Sequence, residues 1–259
     1  MRRKIIGAMI LICSLCILGY SGYKLISYFY DNHVNEQEFI EIKDLIIDEP
    51  VVFIDEDTGE LRLPDEKTLA EFVNPYVNLQ IENSDFVGWL FIPDTNIDYP
   101  VMQTPKNEQY YLHRNFHKKW SSHGCLFASA KSVIDPEPSM NIVIYGHHMR
   151  VDSMFHSLEK YKSKEFYENH KYIQFNTPTR YATYEVIAAF KTDIHVGTYK
   201  YYEFINGTEE EFNEFIRETV GKTPYTTSSA VYGDQFITLS TCAYHTNNGR
   251  YVVVAKRII

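Results

Sequence analysis

The sequence predicts a mainly β domain, a closed barrel or a sandwich, with a few peripheral helices. Three observations predict it. From residue 86 onward the apolar residues fall into many short runs of strand length. Turn-forming Gly, Pro, Asn and Asp separate those runs. Few segments in the same stretch carry helical spacing, and many short strands with few helices fit a barrel or a sandwich.

Ahead of the β region, residues 5–23 are almost free of polar side chains and carry no charge. That length is close to the roughly 20 residues a helix needs to cross a hydrocarbon core. Arg2, Arg3 and Lys4 precede it, so the positive-inside rule keeps the N-terminus in the cytoplasm and everything after Lys24 outside. The expectation is an uncleaved single-pass anchor over residues 1–30. A cleaved signal peptide would need a small-residue cleavage site, and Leu18-Gly19-Tyr20-Ser21-Gly22 is a poor one. A lipid-modified cysteine would need a small residue before it, whereas Cys13 follows Ile12 and Cys16 follows Leu15.

Residues 31–48 mix apolar and acidic positions and read as an amphipathic helix leaving the membrane. Residues 49–64 are acidic and contain Pro50, Gly59 and Pro64, as a linker or a short hairpin would. Together 31–64 form an acidic helical stalk and linker, a solvated spacer. Residues 65–79 return to helical spacing. Strands are then expected over 87–92, 97–102, 125–128 and 141–145. Residues 153–167 read as helix or loop, 172–175 and 180–190 as strands, and 208–219 as a helix. There Thr208 is an N-cap, Glu211 sits three residues on, and Phe212, Phe215 and Ile216 make the apolar stripe. Strands over 235–241 and 251–259 end the chain. The third domain therefore spans 65–259.

With 259 residues, 44% of them hydrophobic, 21 Tyr and 16 Phe, the chain has the means to build a core, which excludes a disordered protein. A net charge of −9 argues against nucleic acid as a partner. Four cysteines cannot make a disulfide scaffold. The acid is concentrated in residues 35–66, where 12 carboxylates face 2 bases, so the region that must hold the chemistry is close to neutral.

No phosphate-binding, dinucleotide, zinc-protease or nucleophile-elbow motif occurs. What stands out is a cysteine, several histidines and an arginine near strand ends. Cys242 ends the run Phe236-Ile237-Thr238-Leu239-Ser240-Thr241, and alternation puts Thr238, Ser240 and Cys242 on one face. Thr246-Asn247-Asn248-Gly249 is turn chemistry and Arg250 opens the next strand. Pairing as a hairpin brings Cys242 and Arg250 to the same end, where a guanidinium favours a thiolate and stabilises an oxyanion. Bland readings stand beside these: a small buried hydrophobe for Cys242 and a surface cation for Arg250.

Tyr145-Gly146-His147-His148-Met149 follows the apolar strand 141–145, and a histidine on a turn at a strand end suits acid–base work. A hydrogen-bonded structural histidine is the alternative. Neighbouring histidines point apart, so only one can face a given cysteine. His123, Cys125, His147, His148, Cys242 and His245 could supply metal ligands, but none is in a ligand spacing and separate loops would have to converge. Cys125 is a second candidate nucleophile, with a buried strand cysteine as its other reading.

Thr238-Leu239-Ser240-Thr241-Cys242 followed by Gly249-Arg250 resembles the active-site strand and hairpin of sortases, the membrane-anchored cysteine transpeptidases of Gram-positive bacteria. Asn83-Ser84-Asp85-Phe86-Val87-Gly88-Trp89-Leu90-Phe91-Ile92-Pro93, Ile97-Asp98-Tyr99-Pro100-Val101, Tyr110-Tyr111-Leu112 and Ile144-Tyr145-Gly146-His147 are similar to class B sortases in order and spacing. So are Met154-Phe155 and Leu158. The similarity spans residues 65–259.

The resemblance implies an eight-stranded β-barrel with extra N-terminal helices and a helix before the last two strands, which 65–79 and 208–219 fit. It implies Cys242 as nucleophile, His147 as acid/base, and Arg250 as the stabiliser of the substrate carbonyl and oxyanion. Ser240 and Thr241 would line the groove and bind substrate, and no cofactor or metal is needed. The implied partners are the C-terminal sorting signal of a secreted protein and an amine from a peptidoglycan precursor or a pilin lysine. The chain departs from the family pattern at Phe127-Ala128-Ser129-Ala130, where many class B members have an acidic and an aromatic residue. It departs again after Cys242, where Ala243-Tyr244-His245 lacks an acid and His245 is a further acid/base candidate. An inactive binding module on the same barrel and a hydrolytic cysteine peptidase remain the other functional readings.

Overall fold

The computed structural model describes residues 2–47, 61, 73–195, 197–244, 246 and 248–259. It divides into two units, residues 1–41 and 42–259. The first unit is nearly all of helix α1 (Arg2–Lys43), which is long and apolar enough to cross a membrane. Most of its large side chains from Ile5 to Tyr30, such as Leu18 and Ile26, are exposed. The helix ends at Lys43, five residues before the end of the amphipathic segment read from the sequence. The expected linker over 49–64, Leu61 apart, and most of the helix over 65–79 lie outside the described residues. Of the latter, Val77 to Leu79 belong to a short helix α2 (Val77–Glu82).

The second unit is a closed eight-stranded barrel. Its strands are β1 (Phe86–Phe91), β2 (Asp98–Met102), β3 (Leu126–Ala128), β4 (Asn141–Tyr145), β5 (Tyr172–Asn176), β6 (Thr183–Asp193), β7 (Phe236–Cys242) and β8 (Gly249–Arg257). They run β1-β2-β3-β4-β7-β8-β6-β5, and β5 pairs back onto β1. Two neighbours are parallel, β2 with β3 and β4 with β7, and the others antiparallel. Register shifts between Phe86 and Gly88 and between Val186 and Ala188 mark irregularities of the bulge kind, which bend strands as closure requires.

The eight strand runs of the sequence are the eight strands, with shifted ends. The run expected from residue 180 starts instead at Thr183, because Pro178 and Thr179 sit in a turn closed by Thr177 N–H on the Arg180 carbonyl (2.8 Å). Arg180 pairs there with Asp135. Residues 153–167 become a 3-10 helix, His156–Lys162, and helix α3 (Lys164–Asn169), which Ser163 caps.

Helix α4 (Glu209–Val220) carries the capping box expected of it. Glu211 N–H donates to Thr208 Oγ1, and Thr208 N–H donates to the Glu211 carboxylate at 2.8 Å. Its buried Phe212 and Phe215 cover the outer face of the sheet beside Phe236, Val252 and Val254. Phe215 stacks on Phe204 at 4.6 Å. The cover matters for the site, because Phe236, Thr238, Ser240 and Cys242 share that outer face by alternation. The row is buried under aromatic side chains at Phe236 and reaches partial exposure at Cys242.

Replacing Thr208 with Ala removes the cap and should lower unfolding free energy by about 1 kcal/mol, with the barrel intact. Urea unfolding of the two proteins, followed by circular dichroism, measures it. An unchanged midpoint would mean that the packed phenylalanines alone hold α4.

Candidate active site

The ladder between β4 and β7 is parallel and in register from Asn141↔Phe236 to Tyr145↔Ser240. Parallel pairing places the C-terminal ends of both strands on one edge of the barrel. Cys242 is the last residue of β7 and His147 follows β4 by two residues. On the other side of β7, Cys242 pairs directly with Arg250 of β8, as the hairpin reading requires. Asn248 takes the left-handed conformation (φ 63°) in the connecting turn, which Asn tolerates better than most residues.

A cavity of about 370 Å³ opens at this edge, and Cys242, His147, Arg250, Ser240 and Thr241 all line it. Ser240 is buried, its Oγ 2.7 Å from the Tyr201 hydroxyl. Thr241 Oγ1 donates to the Gly146 carbonyl at 2.8 Å, so its hydroxyl ties the end of β7 to the residue before His147. Gly146 is required by packing: a Cβ there would stand 2.5 Å from Leu126 Cδ2 and 2.7 Å from Phe155 Cδ2. A larger residue would push the His147 loop off the barrel.

His147 is held from one side. Its Nε2 lies 2.7 Å from the Leu112 carbonyl, which can only accept, so Nε2 carries the hydrogen. Nδ1 is left to exchange a proton. Burial pushes the His147 pKa below the ordinary imidazole value, the Leu112 hydrogen bond works against that, and nearby His113 adds to it. The Leu112 carbonyl is itself fixed by its neighbour Tyr111, whose hydroxyl donates to Asp85 (2.9 Å) and accepts from Asn83 Nδ2 (2.8 Å). The motif fragments around Asn83 and Tyr110 thus meet as a buried support for the loop that holds His147.

Arg250 donates one Nη1–H to the Gly249 carbonyl at 2.9 Å. His148 does not line the cavity, although its ring lies against the Cys242 backbone. Its side chain is buried, edge-on to the rings of His156 (4.9 Å) and Tyr244 (5.5 Å) and 4.0 Å from Glu159. Burial lowers its pKa as well, and the nearby His156 adds to the shift. Cys125 and His123 are buried just before β3 and do not line the cavity. His245 lies outside the described residues. Among the described residues no three His, Cys, Asp or Glu side chains are placed to hold a metal ion.

Glu108, Gln109, Ile194 and Tyr202 also line the cavity and were not singled out in the sequence. They sit in loops or short 3-10 segments, where no hydrophobic period marks them. In that stretch of the sequence only the neighbouring Tyr110-Tyr111-Leu112 fragment carries a motif.

The sortase domain family matches residues 90–258. Sortase B of Listeria monocytogenes is 28% identical over 259 residues, covering 99% of this chain and 98% of its own. Sortase B of Staphylococcus aureus is 34% identical over 197 residues, 73% and 77% of the two chains. Among solved structures, sortase B from Bacillus anthracis in complex with AAEK1 superposes with a TM-score of 0.71 at 28% identity, over 89% of this chain and 99% of that one. A Staphylococcus aureus sortase B–substrate complex gives 0.66 at 30% identity, over 74% and 88%. The chain belongs to the sortase family, as a class B member with that class's eight-stranded barrel. It is accordingly a cysteine transpeptidase of the sortase kind.

The two depressed histidines make a prediction about acid stability. An unfolded chain takes up these protons near pH 6.5, whereas the folded one does so only at lower pH. Their contribution is therefore complete above about pH 6.5 and is lost as pH falls through the folded values. Urea midpoints measured from neutral pH downward should fall less steeply in His147→Gln than in the parent. Parallel curves would mean that His147 titrates alike in both states.

Proposed function

We propose that Cys242 is the nucleophile, His147 the acid/base and Arg250 the oxyanion stabiliser of a transpeptidation on C-terminal sorting signals. The convergence of these three side chains on one cavity supports the reading. The Cys242 thiol gives its proton to Nδ1 of His147, and Sγ attacks the peptide carbonyl after a threonine. A C–S bond forms, and the carbonyl oxygen takes up negative charge facing the Arg250 guanidinium. Collapse breaks the C–N bond while His147 hands its proton to the leaving nitrogen, and a thioester remains. A primary amine then attacks the thioester and loses a proton to His147. The C–S bond breaks, and the departing thiolate takes that proton back from His147, which restores the thiol.

Ser240 and Thr241 bind the substrate backbone in the groove. The solution of a related sortase B with its substrate supports a peptide seat on this barrel. The amine comes from a peptidoglycan precursor or from a lysine of a pilin. Residues 1–30 anchor the protein as a single span, 31–64 are its stalk, and 65–259 work on the outer face of the membrane. Both substrates arrive at that surface.

Cys242→Ala should form no thioester with a cleavable sorting peptide, while Cys125→Ala should still form it. Intact-mass spectrometry reads both, and a thioester surviving in Cys242→Ala would move the nucleophile elsewhere. Arg250→Ala should lose about 10²–10³-fold in kcat, the cost of a missing oxyanion donor. Arg250→Lys should lose more than about tenfold, because a point charge cannot replace a planar fork. Turnover by Arg250→Ala at the parent rate would make Arg250 a surface cation.

A further inference from the structure

His148 is a buried, titratable side chain that the mechanism leaves unused. It is 8% exposed and does not line the cavity. His147, the residue before it, does line the cavity, and the His148 ring lies instead against the Cys242 backbone. That contact favours the protonated ring, so it is made to the carbonyl, the only acceptor a backbone offers. Among the described residues nothing else takes up the ring's hydrogen. Nδ1 is buried without a hydrogen-bond partner, and Nε2 stands 4.0 Å from Glu159.

The loop that carries the ring is fixed at successive carbonyls. The His147 carbonyl accepts from Phe155 N–H (2.9 Å), that of His148 from the Tyr244 hydroxyl (3.2 Å), and that of Met149 from Nδ1 of His156 (2.6 Å). The rings of Tyr244 and His156 stand edge-on to His148 and hold it in place. Glu159 is in turn paired with Lys191 of β6 at 2.5 Å. Beyond the contact with Cys242, Ala243 N–H donates to the Gly249 carbonyl (2.9 Å), the same oxygen to which Arg250 donates. The peptide between Cys242 and Ala243 is therefore held at its carbonyl side by His148 and at its N–H by β8. A tilt of this peptide moves Cys242 relative to His147, and it disturbs the carbonyl that orients Arg250.

We propose that His148 is a positioning residue, which braces the Cys242 carbonyl against the loop that carries His147 and so sets the spacing of these two side chains. The proposal rests on Cys242 and His147 acting as nucleophile and acid/base. The brace is short: one end is the neighbour of His147 and the other is the backbone of Cys242 itself. Proton transfer and attack need close alignment, and a displacement of about 1 Å can cost about 10²-fold in rate. Such contacts are often long in the free enzyme and tighten when the reacting groups assemble.

The test uses full-length protein in detergent and short peptides that carry one threonine and are randomised elsewhere. Acylation of Cys242 is read by intact mass. His148→Phe keeps a ring and removes the donor. It should lower the maximal acylation rate by about tenfold or more, while the peptide concentration at half-maximal rate stays within about twofold. His148→Asn and His148→Gln put an amide N–H about where Nδ1 and Nε2 stand, and one of them should return the rate to within about threefold of the parent. In a His147→Gln background the spacing no longer matters, so adding His148→Phe should cost less than about twofold. Acylation by His148→Phe at the parent rate overturns the proposal. A loss that neither amide recovers also overturns it, as a packing effect, and so does an equal loss in the His147→Gln background, as a general one. No acylation of Cys242 in the parent removes the nucleophile assignment and this proposal with it, whereas acylation indifferent to His148 removes this proposal alone.

Discussion

A parallel ladder carries the C-terminal ends of two strands to the same edge of a sheet, and between β4 and β7 it does so for residues 95 positions apart. Everything at the site hangs from that pairing. It sets His147 and Cys242 at one rim, and the Thr241 hydroxyl on the Gly146 carbonyl fastens the rim where the ladder ends. The antiparallel partner β8 then has only to return through a short turn to bring Arg250 alongside Cys242. Had β4 and β7 paired antiparallel, the two residues would lie at opposite ends of the barrel.

The barrel solves a second problem, how a reactive edge is left open in a well-packed protein. The outward face of β7 starts under Phe212 and Phe215 of α4, passes through Thr238 bonded to Asn141 and Ser240 bonded to Tyr201, and ends at Cys242. Polar side chains along this row each find a partner, as buried hydroxyls must. Only the last position faces the cavity with its chemistry uncommitted to a neighbour's hydroxyl or amide. The gradient from aromatic cover to groove is therefore written along a single strand.

Loops finish the site, and their precision is borrowed. The Leu112 carbonyl fixes the tautomer of His147, yet it belongs to a 3-10 turn (Tyr110–His113) with little structure of its own. Asn83, Tyr111 and Asp85 anchor that turn through buried hydrogen bonds, and the Cys125 amide adds a bond to the Tyr111 carbonyl (3.0 Å). The same loop region presents Glu108 to the cavity.

Period-two runs between turn residues determined the eight strands, and the spacing of Thr208, Glu211, Phe212 and Phe215 determined α4, because those signals are local. The proximity of Cys242 to Arg250 was legible for the same reason: one short turn separates them. That His147 joins them followed from resemblance, since no local pattern states that β4 and β7 are parallel neighbours. Tertiary structure alone decided the rest. It showed that Gly146 serves close packing against Leu126 and Phe155, that Tyr111 supports the His147 loop, and that Glu108 faces the cavity. Each of these depends on contacts between residues remote in sequence, and neither composition nor periodicity carries information about such contacts.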